Sequence, residues 1–135
     1  MRKARILYVE DDPDIAQIGL LSLRLDDAIE ARIATNGFEA LHLMRTLGWR
    51  PDVLLLDVMM PGMSGLDVMQ ALARDADLRD IPVILMTARA GPANLREYEE
   101  KGVIGVIAKP FDPLRLGDDV LSCLHRHEAA PQRQS

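Results

Sequence analysis

The sequence predicts an α/β fold, a doubly wound five-stranded parallel sheet with five helices, on three observations. Short apolar runs rich in β-branched residues recur along the chain: ILYV at 6–9, VLLL at 53–56, VILM at 83–86 and VIGVIA at 103–108. Apolar on both faces, such runs are strands covered by helices on both sides of a parallel sheet. Helical patterns with their own start and stop signals lie between them. The chain has 135 residues, 48% hydrophobic and 27% charged, which suits one globular domain able to close its core without disulfides or structural metal.

The first run follows MRKAR and ends in Glu10, Asp11 and Asp12. Basic residues before an apolar run also open signal peptides, but this run is too short and ends in acids, so it reads as a strand. Asp12 before Pro13 reads as an N-cap with proline at the first helical position. Ile15, Ile18, Ser22 and Leu25 then recur on one helix face. The alternating EARIAT at 30–35 predicts an edge strand. Asn36 and Glu39 have the spacing of a capping box, with Asn in place of Ser or Thr. Their helix is expected to bury Leu41, Met44 and Leu47 and to stop at Gly48, with His42 on its exposed side. Trp49, just before Arg50-Pro51, is expected to shield the sheet edge.

The second run ends in Asp57. Ser64 and Asp67 again have capping-box spacing, and their helix is expected to bury Leu66, Met69 and Ala73. VILM leads to Thr87. Gly91-Pro92 opens a helix closed by Gly102 and anchored by Leu95 and Tyr98 alone, predicted to be the least stable of the five. VIGVIA leads to Lys109 and Pro110. Asp112-Pro113 repeats the cap-plus-proline device, and Leu114, Gly117, Leu121 and Leu124 form the last apolar stripe, with Gly117 costing about 1 kcal/mol relative to alanine. The domain is expected over 1–127, with EAAPQRQS at 128–135 a disordered tail.

The single cysteine, Cys123, excludes an intramolecular disulfide and reads as a small hydrophobe on the last helix. His125 and His127 read as solvent-facing groups that favour a helix C-terminus. No apolar stretch approaches the ~20 residues of a membrane span, and a formal charge of -5 argues against a nucleic-acid surface. The expected location is cytoplasmic. A flavin or nucleotide module needs a Gly, Ser or Thr phosphate cradle after the first strand, where this chain has EDDPD.

Five βα steps with right-handed crossovers place ligands outside the carboxyl ends of the strands, where the winding switches. There the strands present Glu10 and Asp11, Asp57, Thr87 and Lys109. Three carboxylates about 5 Å apart would repel by roughly 3 kcal/mol per pair at an effective dielectric near 20. A hard divalent cation such as Mg2+ answers that need, with Lys109 as a further fixed charge. Oxygens on a metal, a carboxylate nucleophile, a hydroxyl and an ammonium suit phosphoryl transfer, with Asp57 becoming an acyl phosphate.

In this order and at these intervals, ILYVEDDPDI, LLLDVMMPGMSG, VILMTA and AKPF resemble the receiver domain of two-component response regulators, over residues 4 to about 127. The resemblance implies a flavodoxin-like sheet of order 2-1-3-4-5. It implies a phosphoryl group taken from a phosphohistidine on a sensor histidine kinase or histidine phosphotransfer protein. Asp57 is then the acceptor, and Glu10 and Asp11 form the acidic pair. Mg2+ is held by Asp11, Asp57 and the backbone carbonyl of Met59, and Thr87 and Lys109 contact phosphoryl oxygens. A cis peptide bond at Lys109-Pro110 is also implied.

The sequence departs from the family where an aromatic residue usually stands three positions before the lysine: here it is Val106. Output is still expected through the fourth helix, fifth strand and fifth helix, with a smaller rearrangement. KGVIGVIA at 101–108 is more apolar than usual, as partner contact or as extra core. Met59 and Arg89 flank the approach of hydrolytic water in this family; Met59 cannot orient water and Arg89 shields the phosphoryl group, so a long-lived phosphoaspartate is expected. Haloacid-dehalogenase-like phosphatases share aspartate, Mg2+, hydroxyl and lysine, but place a second aspartate where this chain has Met59, which disfavours ester turnover. The expectation is thus a phosphoacceptor rather than an enzyme, a stand-alone regulator or phosphorelay shuttle signalling to a protein partner, monomeric or dimeric on phosphorylation. The alternative is a non-phosphorylated protein-binding adaptor.

Overall fold

The computed structural model describes residues 2–130. Strands and helices alternate without exception: β1 (Ala4–Val9), α1 (Pro13–Arg24), β2 (Ile29–Ala34), α2 (Gly37–Arg45), β3 (Val53–Asp57), α3 (Gly65–Ala73), β4 (Val83–Thr87), α4 (Pro92–Glu100), β5 (Gly105–Ala108) and α5 (Leu116–Ala129). The five strands form one sheet of order β2-β1-β3-β4-β5, and every pairing is parallel. This is the doubly wound architecture the apolar runs predict, with β2 at one edge. Because strand side chains alternate, each apolar run feeds two cores. Leu7, Val9, Leu54, Leu56 and Leu85 pack on one face, and Ile6, Tyr8, Leu55, Ile84 and Met86 on the other.

The caps at Asp12, Asn36 and Ser64 form as the sequence indicates, whereas the one at Asp112 does not. Asp12 accepts hydrogen bonds from the backbone N–H groups of Asp14 and Ile15 at 2.9 and 3.1 Å, starting α1 at Pro13. Ser64 and Asp67 make a reciprocal capping box at α3. Asn36 caps α2 by accepting from Glu39 N–H, while the Glu39 carboxylate turns to the Thr35 hydroxyl instead. In α4 only Tyr98 is buried, as its sparse anchors imply.

The helix faces differ from expectation. In α1 the buried residues are Ala16, Gly19, Ser22 and Leu23, whereas Ile18 and Leu25 are exposed. The Tyr8 ring sets this rotation, since a Cβ at position 19 would lie 2.4 Å from it, so α1 must turn its glycine to the sheet. In α3 Gly65, Val68 and Leu72 are buried, Leu66 and Met69 half-buried and Ala73 exposed. Here the cause is Gly65, which faces the Asp57 carbonyl oxygen at a distance that a Cβ would reduce to 2.5 Å.

α2 buries Leu41 and Met44 but ends at Arg45, leaving Leu47 beyond the helix and exposed. Residues 112–115 form a turn rather than the start of α5: Asp112 accepts from Leu114 N–H at 2.9 Å, which projects Leu114 outward. The stripe of α5 is Leu116, Gly117, Val120, Cys123 and Leu124, and the helix runs two residues past His127 to Ala129. Most of the expected tail, residues 131–135, lies outside the described residues. Cys123 is a buried free thiol, His42, His125 and His127 are exposed, and Trp49 is buried beside the Arg5 and Arg32 guanidinium groups at 5.7 and 4.9 Å.

Candidate functional site

The carboxyl ends of β1, β3, β4 and β5 bring the predicted residues together. Glu10 follows Val9 directly, Asp57 and Thr87 are the last residues of β3 and β4, and Lys109 follows Ala108. Glu10, Asp57 and Thr87 are buried although polar, and Asp11 is exposed at the rim. The Lys109 ammonium donates to Glu10 Oε1 at 3.0 Å and to Asp57 Oδ2 at 3.1 Å. Carboxylate oxygens of Glu10, Asp11 and Asp57 all lie within 4.8 Å of one another. The Lys109-Pro110 peptide bond is cis.

Backbone groups complete the frame. Met59 N–H donates to Asp57 Oδ1 at 3.3 Å, Asp12 N–H to Glu10 Oε2 at 3.4 Å, and Arg89 N–H to the Thr87 hydroxyl at 2.9 Å. The Met59 side chain is 70% exposed.

The electrostatics follow from burial. Desolvation, and then the neighbouring Asp57 carboxyl, push the Glu10 carboxyl up to about 7, against the opposing pull of Lys109. On Lys109, burial opposes the charged form, but its bonds to Glu10 and Asp57 outweigh it and hold the ammonium above its usual range. One ammonium therefore does not neutralise the cluster. Three carboxylate oxygens within 4.8 Å of one another, with uncompensated negative charge, fit a hard divalent cation, which takes carboxylates, carbonyls and waters.

Two contributors carried weaker signals in the sequence. Gly65 lets α3 approach the Asp57 backbone, and only its place directly after the Ser64 cap hints at this. Beside the site, Ile15, Ile18, Ala88, Pro110, Phe111 and Pro113 line an apolar depression of about 440 Å³ that reaches Lys109. Its residues come from separate elements, so no periodicity reveals it.

The family model described as the response regulator receiver domain matches residues 6–121. The chain belongs to this family. Receiver domains are phosphoacceptor signalling modules that bind Mg2+ at an acidic pocket and interact with histidine kinases and downstream targets. Over 129 residues this receiver is 35% identical to the DNA-binding response regulator MtrA of Mycolicibacterium smegmatis, covering 96% of this chain and 54% of that protein. Over 115 residues it is 40% identical to the response regulator PleD of Caulobacter vibrioides, covering 84% of this chain and 24% of PleD. The chain thus spans about half the length of MtrA.

Among solved structures, the chemotaxis protein CheY4 of Vibrio cholerae matches with a TM-score of 0.76 at 29% identity, covering 92% of this chain and 98% of that one. A response regulator from Chloroflexus aurantiacus gives 0.79 at 30%, covering 93% and 100%. The receiver fold and the sheet order 2-1-3-4-5 are therefore shared with these neighbours. Among the described residues, no helix is long and apolar enough to cross a membrane.

Proposed function

We propose that this receiver takes a phosphoryl group from a partner phosphohistidine onto Asp57 and signals by a conformational change to a protein partner. The observation that carries the reading is the shared Lys109 ammonium, which holds Glu10 and Asp57 together with Asp11 in reach. Glu10, Asp11, Asp57 and the backbone carbonyl of Met59 would hold Mg2+, which when bound offsets the charge of the reacting oxygens. Asp57 Oδ is the nucleophile, fixed by Lys109 and the Met59 N–H. Lys109 and Thr87 contact the transferred phosphoryl oxygens, and Thr87 acts as the switch hydroxyl.

The donor is a sensor histidine kinase or histidine phosphotransfer protein, which the apolar depression beside Lys109 suits as a docking point. Downstream contact runs through α4, β5 and α5, where Val106 is half-buried. The DNA binding in the name of MtrA belongs to that protein, of which this chain spans 54%. For residues 1–127 the proposed role is contact with protein rather than nucleic acid, in the cytoplasm, as a monomer or a phosphorylation-dependent dimer.

The test is incubation with a small-molecule phosphodonor and Mg2+, read by intact mass and gel filtration beside Asp57→Asn. One phosphoryl gained by the parent and none by the variant supports the reading. An unlabelled parent refutes it and favours the non-phosphorylated adaptor.

A further inference from the structure

Among the described residues, the Tyr8 hydroxyl is the buried side-chain polar group left without a hydrogen-bond partner. Tyr8 stands in β1 two positions before Glu10, so the strand period puts both on one sheet face. On that face Leu55 precedes Asp57 by the same two positions, and Met86 and Ile107 pack in the same cluster. Tyr8 is thus part of the floor under the acidic cluster, a floor otherwise apolar.

Phenylalanine would fill the same slot without the roughly 1–3 kcal/mol cost of burying an unpaired hydroxyl. The slot is nonetheless shaped to admit the oxygen. A Cβ on Gly19 would lie 2.4 Å from Tyr8 Cε2 and 2.7 Å from the hydroxyl oxygen, so α1 closes over the phenol only with glycine there. An ordinary phenol is protonated at neutral pH. The hydroxyl is therefore a hydrogen-bond donor, on a residue two strand positions before Glu10.

Glu10 has acceptor capacity to spare. Its Oε1 takes Lys109 and its Oε2 only the long bond from Asp12 N–H. No described protein group meets the Tyr8 hydroxyl, and buried waters commonly serve such groups.

We propose that Tyr8 is a positioning residue of the metal site: its hydroxyl holds a buried water that links it to the Glu10 carboxylate and keeps that carboxylate turned toward the cation. The proposal rests on reading the acidic cluster as the Mg2+ site. Removing such outer support weakens metal binding by about tenfold, the lower end for groups behind a ligand.

Two variants test it. Tyr8→Phe is expected to unfold at the same or higher denaturant concentration than the parent, yet to bind Mg2+ about tenfold more weakly by calorimetry. Tyr98→Phe leaves Tyr8 as the only tyrosine, and Mg2+ is expected to shift its ultraviolet absorption band. A Tyr8→Phe protein that binds Mg2+ like the parent, or a Tyr8 band that Mg2+ leaves unmoved, overturns the proposal. Should Tyr8→Phe fail to fold, the band decides alone. A parent that binds no Mg2+ sinks the reading of the site along with it, whereas a parent that binds Mg2+ and takes up phosphoryl beside an indifferent Tyr8→Phe sinks this inference only.

Discussion

The Lys109 ammonium lies 3.1 Å from the Asp57 carboxylate and 3.0 Å from that of Glu10, one cation shared between two buried anions. The lysine comes from the end of β5 and the two acids from β1 and β3, so the contact ties three strand ends together. Lys109→Met removes the one positive side chain that, among the described residues, bonds to either acid, while keeping most of the apolar volume. Breaking a buried ion pair by deleting one partner costs about 3–5 kcal/mol. A loss of that order in urea unfolding is expected without Mg2+, with part of it regained when Mg2+ is added. Phosphodonor labelling of Asp57 should fall at least tenfold. Unchanged stability and labelling would show that Lys109 is not needed to hold the acids.

Glu10 makes stability depend on pH in a sense opposite to most acids. Its carboxyl titrates near 7 in the folded protein against 4.5 unfolded, so between these values the folded state binds the extra proton. Without metal, this contribution to stability is full below about 4.5 and is lost as pH rises through 7. Mg2+ favours the ionised carboxylate, so its affinity should rise over the same interval. Urea midpoints between pH 5 and 8, with and without Mg2+, check both. Glu10→Gln should flatten the metal-free curve.

Gly65 sets how closely α3 can approach Asp57, the proposed acceptor. Gly65→Ala places a Cβ 2.5 Å from the Asp57 carbonyl oxygen and 3.0 Å from Val58 Cα, both backbone atoms that cannot swing aside. A loss of about 1–3 kcal/mol is expected, as for other overpacked sites, together with slower labelling as Asp57 shifts. Ser64→Ala is the matched control: losing the cap should cost about 1 kcal/mol with labelling unchanged.

These glycines also explain where the sequence was legible and where it was not. Strand ends were readable because an apolar run followed by a charge or hydroxyl is unusual unless the charge is used, and Glu10, Asp57, Thr87 and Lys109 all stand in that position. Caps were readable because Asp12, Asn36 and Ser64 act through bonds to residues two or three places away. Helix rotation was not. Hydropathy favours large side chains, whereas Gly19 and Gly65 face the sheet because Tyr8 and the Asp57 backbone leave no room for more. Apolar residues elsewhere on or just past the same helices, Ile18, Leu25 and Ala73, are exposed. In α5 the miss was local: the Asp112 side chain closes a turn, which delays the helix to Leu116 and exposes Leu114.

The lifetime of the phosphoryl group should be set by what stands beside Asp57. Hydrolysis needs water aligned opposite the leaving carboxylate, and a side chain that hydrogen-bonds this water supplies general-base or orienting help. Met59 is two residues past Asp57 and 70% exposed, and its thioether is no general base for a water there. Arg89 stands two residues past Thr87 and is exposed, so its charge is expected to favour a phosphorylated Asp57. A slow decay is therefore expected in the parent. Met59→Asn places an amide beside the acceptor and should shorten the half-life several-fold, since positioned proton-transfer groups contribute about 10²-fold or more and an orienting amide less. A time course of intact mass after removal of the phosphodonor measures both half-lives, and Met59→Leu, apolar like the parent, should decay at the parent's rate. Equal decay in all three proteins would mean that water reaches phosphorus from another side.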